Sequence, residues 1–593
     1  MTGTEPAVAP EKPGPLTLAE GLALAVILAV AAGLRLSHPG VGFFNIYAAR
    51  DYFRALDLIH GVSFPVSGSE MLYGGRNIGW FYYLLLSVPL AFSPSPLGGI
   101  ALIGALDVLA VAVTHLAVRR LLGVGAGLAA AALFAVAPIE IAMSRFMWNP
   151  AFLPLFNAVA LAALLRWRVE GERWALAVLV VAWGLAFQIH FSVYIHLVLA
   201  ALFLLADGAR WLRGVRDRLP RRPLTPLLTG LLALAPFLWP HFAREIDTRW
   251  GNVRSITEET TNYAQVRLGD MVAPRLNPTA VGAALDQLRI NLDEDRRWPT
   301  YVCFDRFVEN LREGRPAALG FAEAVSLFSW LQAALFAAGL LTLIAVLVAD
   351  PPWLRGLFAV PGRARSVALI LTVWIAVIFL GVAFLKLDGG PYPRVVPSRY
   401  FTVWHPVIQI IEVIGLRVAL AGLVRLDWRV PLGWTARLVL GALFAGQAML
   451  MGLWLVSAAE EGAAFNWTGR ADRPVANVGD KMRLARILVR ERGMTLRAFL
   501  ERTTTDGHYD HWFNEECIDY ELRAQPGFTT NPDPPDGVHF FLMHGESGRF
   551  PYPADRVEIL STDGAGLLRA ITFRVTDPTL VIPRAMLENG WVW

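Results

Sequence analysis

The chain has 593 residues, of which 55% are hydrophobic and only 17% charged, with a formal charge of +4. This is too apolar for a soluble globular protein and too long for one core, so the chain reads as a polytopic membrane protein. The small net charge sums arginine-rich short loops with a more acidic remainder and gives no indication of nucleic-acid binding.

The segment before Leu16 carries Glu5, Glu11 and Lys12 without a basic flank, and no small-residue cleavage pattern follows the first apolar run. That run is read as a retained helix. A helix needs about 17 to 25 apolar residues to cross roughly 30 Å of hydrocarbon. Runs at 16–36, 100–118, 123–140, 150–166, 174–190, 191–206, 224–241, 322–348, 367–386, 402–424 and 438–457 predict eleven spans. Trp80 to Phe92 is shorter and contains Pro89, so it predicts a thin span or a re-entrant or interfacial segment.

Basic residues in short loops favour the cytoplasmic side. Arg119 and Arg120, then Arg166, Arg168 and Arg173, then the run from Arg210 to Arg222 fall in such loops, as do Arg355, Arg363, Arg365, Arg425, Arg429 and Arg437. With the N-terminus inside and Trp80 to Phe92 not crossing, all of them lie on the cytoplasmic side. The same parity places outside the first loop (about 37–99), Ser144 to Pro150, the turn at His190, the loops at about 242–320 and 387–400, and the tail.

The stretch from Gly42 to Leu90 concentrates Arg50, Asp51, Arg54, Asp57, Glu70 and Arg76 between two apolar segments. Ionisable groups at a membrane face are costly and mark function by default, although a solvated loop anchored at the interface is the simpler alternative. The loop at 242–320 is long enough to be a lid or binding element with its own helices.

After Ala463 the composition changes. An amphipathic pattern around KMRLARILVRERG is followed by the alternating runs VHFFLMH, RVEILST, LLRAITFRV and TLVIP, which predict a small α+β domain over 458–593. The expected organisation is therefore a transmembrane catalytic domain over 1–457 with this domain after it. Cys303 and Cys517 both fall on the expected outer face, where they are either a disulfide or two free thiols.

Five stretches then stand in order: AARDYFRALDLIHG, GWFYYLLLSVP, SRFMWNPAFLPLF, GLAFQIHFSVY and SRYFTVWHP. Together they resemble the GT-C superfamily of integral-membrane glycosyltransferases, more narrowly the bacterial enzymes related to protein O-mannosyltransferases and the lipid A aminoarabinose transferase. The resemblance covers most of residues 16 to 460 and does not extend to the tail. It implies a polytopic α-helical fold of about 11–12 transmembrane helices with external loops. It also implies transfer of a sugar from a polyprenyl-phosphate carrier to a glycan, lipid or protein hydroxyl at the outer face of the bacterial inner membrane, with inversion.

Such chemistry needs a base for the acceptor hydroxyl and cations for the departing phosphate. By the resemblance Asp51 is the base, with Glu70 as substitute. A purely structural Asp51, paired with Arg50, Arg54 or Arg145, is the alternative. Lys386, Arg394, Arg399, Tyr400 and His405 are expected at the carrier phosphate, where Arg399 offers two parallel donors before a helix start. Arg50, Arg54, Arg76, Arg145, Asn149, Gln188 and His190 are candidates for substrate contact. Trp80, Trp148 and Trp404 are candidates for stacking on a sugar or for an interfacial belt.

The family's acidic pair before Asp51 is replaced by Tyr47 and Ala48, and the acid after its Ser-Arg by Asn149. No cofactor is assigned, and a divalent metal stays an open alternative. A lipid-linked polysaccharide polymerase or ligase shares these features. A lipid-linked-sugar flippase should show polar, Gly/Pro-broken helices at mid-membrane.

Overall fold

The computed structural model describes residues 14–42, 44, 46–69, 78–93, 95–212, 224–251, 278, 281, 317–383, 402–425, 432–460, 476–505, 534–535, 537–544 and 549–582. Glu70, Arg76, Cys303, Lys386, Arg394, Arg399, Tyr400 and Cys517 lie outside them.

The chain is mostly helical with a small C-terminal sheet. In order come α1 (Leu18–Leu36), α2 (Ile46–Ile59), α3 (Phe81–Leu90), α4 (Pro96–Leu122), α5 (Val124–Ala135), α6 (Pro138–Met143), α7 (Leu153–Leu165), α8 (Ala175–Phe187), α9 (Ile195–Leu212) and α10 (Leu224–Asp247). They are followed by α11 (Ala317–Val348), α12 (Pro352–Arg355), α13 (Ala364–Ala383), α14 (Val407–Arg425) and α15 (Leu432–Glu460). Each apolar run read from the sequence is occupied by helix, and all but 123–140 by a single α-helix. Among the described residues six helical segments are individually long and apolar enough to cross a membrane.

One expectation changes, and one open alternative is decided. The run 123–140 is not one helix: α5 stops at Ala135 and α6 starts at Pro138. Proline disfavours the α conformation of the residue before it and suits the first turn of a new helix, so it divides the run. Trp80 to Phe92 resolves into α3, whose ten residues reach only about 15 Å at 1.5 Å per residue and cannot cross.

The two ends of α4 mark two faces of the helical body. At its start Tyr52 of α2 donates its hydroxyl to the Ser95 carbonyl at 2.9 Å. At its other end Arg119 Nε lies 2.6 Å from Glu20 Oε1, and Arg120 Nε donates to Glu170 Oε1 at 2.9 Å. There too the Ala359 N–H donates to the Leu121 carbonyl at 2.7 Å, and Arg365 donates to the Leu347 carbonyl at 2.8 Å. The 27 residues of α4 separate these ends by about 40 Å.

Helices α11 and α14 pack tightly at two glycines. A Cβ on Gly339 would collide with the Ile411 carbonyl, and one on Gly415 with the Leu335 carbonyl. Small residues let helix backbones approach where lipid gives no hydrophobic drive.

In the tail, α16 (Val478–Arg490) and α17 (Leu496–Arg502) precede a four-stranded sheet of β1 (Thr503–Thr505), β2 (Val538–His544), β3 (Val557–Ala565) and β4 (Leu568–Val575). The strand order is β1-β2-β4-β3; β1 runs parallel to β2 and the other pairs are antiparallel. Alternation divides the strands between two cores. Phe540, Leu542, Leu568 and Ala570 belong to the large core together with Leu484, Ala485 and Leu488 of α16, whereas Phe541, Ile571 and Phe573 meet Phe550, Tyr552, Leu580 and Ile582.

The expected strand TLVIP is absent. Asp577 accepts from both the Thr579 N–H and its hydroxyl, which closes a turn, and the Leu580 and Ile582 side chains serve the second core instead. β1 is an edge strand that the sequence reading did not anticipate. The Val478 N–H donates to the Gly42 carbonyl at 2.9 Å. The tail helix therefore rests on the loop joining α1 to α2.

Gly415→Leu should lower the unfolding temperature of the detergent-solubilised protein, since overpacking a tight contact costs about 1–3 kcal/mol. The same change at Gly422, where a Cβ meets nothing, should leave it unchanged in the same thermal scan.

Candidate active site

The site is built on α2. Ala48, Asp51, Tyr52 and Ala55 recur at spacings of three and four, so one stripe of the helix turns inward and carries Asp51 with it. Arg54 stays exposed on the same helix. Asp51 is 1% exposed. Its Oδ1 lies 3.2 Å from Arg50 Nη2 and accepts from the Tyr83 hydroxyl at 3.4 Å. Its Oδ2 has no hydrogen-bond partner.

Burial pushes the Asp51 carboxyl above the usual aspartate range, against the opposing pull of Arg50 and weaker help from Ser69 and Tyr83. A carboxylate held this way is a poised proton acceptor: one oxygen is anchored and the other is open.

Around it stand more buried polar atoms without partners, Tyr82 Oη, both ends of the Gln188 amide and Asn149 Oδ1, and the Ser69 hydroxyl, which acts on Asp51 and Tyr83. Contacts tie them into one group. The Tyr82 ring meets Phe152 edge to face at 5.8 Å, and its hydroxyl feels the Asp51 charge. The Ile78 N–H donates to the Ser69 carbonyl at 3.1 Å, and the Gly68 N–H donates to the Ile78 carbonyl at 2.8 Å. The Gln188 side chain lies across Gly79, where any Cβ would overlap it. Asn149 Nδ2 donates to the Ile189 carbonyl at 2.8 Å.

The structure thus brings together Arg50, Asp51, Asn149 and Gln188 of the sequence candidates. His190 is adjacent, with Nδ1 2.8 Å from the Ser192 hydroxyl and accepting from the Ser192 N–H. Tyr82, Tyr83 and Ser69 escaped the sequence reading because they sit in an aromatic run and a serine loop with no distinguishing signal.

Two candidates lie elsewhere. Arg145 is fully buried and donates to the Leu34 and His38 carbonyls at 2.6 and 2.9 Å, capping the end of α1. His405 belongs to a second buried network: Nε2 is 3.3 Å from Glu140 Oε1, Nδ1 accepts from Gln409 at 2.8 Å, and the ring stacks on Phe134. Arg35 pairs with Asp107 in that same network and donates to the Phe134 carbonyl at 3.0 Å.

Of this network the sequence reading singled out only His405; Arg35, Asp107 and Glu140 lie inside apolar runs that it read as spans. Its signal was present, since an intramembrane Asp or Glu implies a partner. Trp80 is tied to the fold by its indole N–H, which donates to the Phe237 carbonyl at 2.9 Å, and Trp404 is fully buried. Among the described residues no group of three His, Cys, Asp or Glu side chains could hold a metal ion.

Residues 79–239 match the family model described as dolichyl-phosphate-mannose-protein mannosyltransferase. That segment contains Tyr82, Tyr83, Asn149 and Gln188, and the match bears out the resemblance to GT-C membrane glycosyltransferases read from the motifs. No curated protein matches the chain by sequence. Among solved structures, ArnT from Cupriavidus metallidurans bound to undecaprenyl phosphate is similar at TM-score 0.47 with 13% identity, over 95% of this chain and 99% of that one. The Archaeoglobus fulgidus oligosaccharyltransferase AglB, in complex with an inhibitory peptide and a dolichol-phosphate, is similar at TM-score 0.43 with 12% identity, over 89% of this chain and 70% of that one.

The sign of the Asp51 shift gives a stability test. A folded-state pKa above the unfolded value means that the native state binds the proton more tightly, so stability falls as pH rises past the ordinary aspartate range. Asp51→Asn should therefore unfold at neutral pH at a temperature equal to or above that of wild type, and the difference should shrink in acid. A thermal scan across pH checks this.

Proposed function

We propose that this chain, a GT-C-type membrane glycosyltransferase by the family match over residues 79–239, moves a sugar from a polyprenyl-phosphate carrier to an acceptor hydroxyl at the outer face of the bacterial plasma membrane. The observation that carries the reading is the buried Asp51 with its unpartnered Oδ2. In the proposed step the acceptor O–H gives its proton to Oδ2 as its oxygen attacks the anomeric carbon. The bond from that carbon to the phosphate oxygen breaks on the opposite side, and polyprenyl phosphate leaves with the electron pair. One displacement inverts the anomeric centre.

Arg50 and Tyr83 hold Oδ1, so the reactive oxygen is oriented without being satisfied. Arg399, Tyr400, Arg394 and Lys386 are assigned to the carrier phosphate, whose developing charge needs cationic and hydroxyl donors.

Orientation is argued from α4. The basic residues Arg119 and Arg120 stand at one end and the Asp51 group stands by the other. Basic loops favour the cytoplasm, which turns Asp51 outward. The tail helix rests on the α1–α2 loop of that same end. Residues 1–457 are assigned as the catalytic domain and 458–593 as an extracytoplasmic domain that supports or reads the acceptor.

Purified protein, supplied with a panel of polyprenyl-phosphate sugars and hydroxyl acceptors, should transfer at least one of them. Asp51→Asn should lower kcat/KM by about 10²–10⁴-fold, the usual weight of a general base, and Arg399→Ala should slow departure of the phosphate. Because the ionised form of Asp51 is the active one and its pKa is raised, the acid limb of the wild-type profile should lie above the ordinary aspartate range and vanish in Asp51→Asn. Full activity in Asp51→Asn with loss in Glu70→Gln would move the base to Glu70. Full activity in both Asp51→Asn and Arg399→Ala would reject the site.

A further inference from the structure

The stretch that joins α1 to α2 is gripped by backbone from two directions. From within the helical body, Arg145 donates to the His38 and Leu34 carbonyls at 2.9 and 2.6 Å. A Cβ on Gly42 would collide with the Arg145 carbonyl and the Ile100 side chain, so the loop is pressed close at that point. From the tail comes the start of α16. Asn477 caps this helix by accepting from the Asp480 N–H at 2.8 Å, and Val478, its first residue, donates its own N–H to the Gly42 carbonyl at 2.9 Å. The first N–H groups of a helix have no partner inside it, and here one of them is committed to a loop of the helical body.

The next residue brings the two backbones together. A Cβ on Gly479 would stand 3.0 Å from the Gly40 Cα, and one on Gly40 would stand 3.4 Å from the Gly479 Cα. Val478 is 0% exposed. The tail therefore sits on the loop backbone to backbone, where a change of a single side chain is felt.

That loop leads into α2, whose second turn carries Asp51. The bonds of Asp51 itself are poor guides to its position. Arg50 moves with the same helix, and the Tyr83 hydroxyl reaches it only at 3.4 Å. Tyr52 supplies one directional bond from α2 to the body, at the Ser95 carbonyl. The apolar stripe of Ala48 and Ala55 adds burial, which has no direction. A helix held at one point can still turn about it. The loop supplies the second point, and α16 holds the loop.

We infer that, given the transfer reading above, the seat of α16 on the α1–α2 loop positions Asp51 for proton transfer, with Val478 and Gly479 as positioning residues contributed by the tail. Releasing the seat lets α2 turn about Tyr52 and opens the buried carboxylate to water.

The test takes the full-length protein in lipid nanodiscs and releases the seat in two ways. Proline is well accepted at the first position of a helix, and Asn477 before it is already extended, with φ −73° and ψ 161°. Val478→Pro therefore deletes the N–H given to Gly42 and keeps the helix start. Gly479→Val drives a side chain into the Gly40 backbone. Hydrogen exchange at the β2 and β4 amides reports whether the tail sheet stays folded; where Gly479→Val unfolds it, Val478→Pro decides.

The first readout needs no substrate: modification of Asp51 by a water-soluble carbodiimide with glycine ethyl ester, followed by mass spectrometry. Asp51 is 1% exposed in wild type and should react slowly, and both variants should react several-fold faster. The second is steady-state transfer, in which kcat should fall about 10–100-fold while KM for the lipid carrier holds, because a displaced reacting group costs rate more than binding. Arg497→Gln, exposed on α17, should change neither.

Unchanged modification of Asp51 in Val478→Pro would overturn the inference, as would a fall in kcat without faster modification or a loss confined to KM. Faster modification with full kcat would show that the seat holds Asp51 and would reject Asp51 as the base. Wild type that transfers to no acceptor would reject the reaction proposed above, and the modification rates alone would then decide the seat.

Discussion

The arrangement turns on one desolvated carboxylate. Asp51 is taken out of water by the inward stripe of α2 and is compensated on a single oxygen by Arg50 and Tyr83. A buried charge satisfied halfway is an unfavourable thing to fold around unless the open half has a use. The short α3 follows from the same constraint. Ending after ten residues, it carries Tyr82 and Tyr83 to the level of Asp51 instead of across the bilayer. Tyr52 pins α2 to the start of α4 and Trp80 pins the start of α3 to α10, so the carboxylate is held by rigid elements on both sides.

A second buried network acts deeper in the body. Arg35 pairs with Asp107, and Glu140 stands against His405, the residue that closes the segment bearing Arg394, Arg399 and Tyr400. These pairs join α1, α4 and α6 to the start of α14. Inside a helical bundle such pairs specify which helices meet, because mispairing would strand a charge in a medium of low dielectric.

The helices were legible because hydrophobic length is a direct physical demand of the bilayer, and the apolar runs became helices, one of them divided at Pro138. The tail strands VHFFLMH, RVEILST and LLRAITFRV were legible through their alternation. TLVIP was not, since its apolar residues fill a core from a turn that Asp577 closes. Asp51 and Gln188 could be singled out as polar residues between greasy runs. That Tyr82, Tyr83 and Ser69 join them could not be read, because it depends on how α3 lies against α2, which no local pattern encodes. Asp107 and Glu140 were readable in principle, as single acids in apolar helices, but their partners sit far away in sequence.

The central claim is that the open oxygen of Asp51 faces the carbon from which a lipid-borne phosphate departs. The most direct measurement is a structure of the full-length protein with a polyprenyl-phosphate sugar bound. The account predicts the phosphate among Arg394, Arg399 and Tyr400, with the sugar ring lying between it and Asp51 Oδ2 in one cleft. A phosphate bound near Arg119 and Arg120, or separated from Asp51 by the body of the helices, would contradict it.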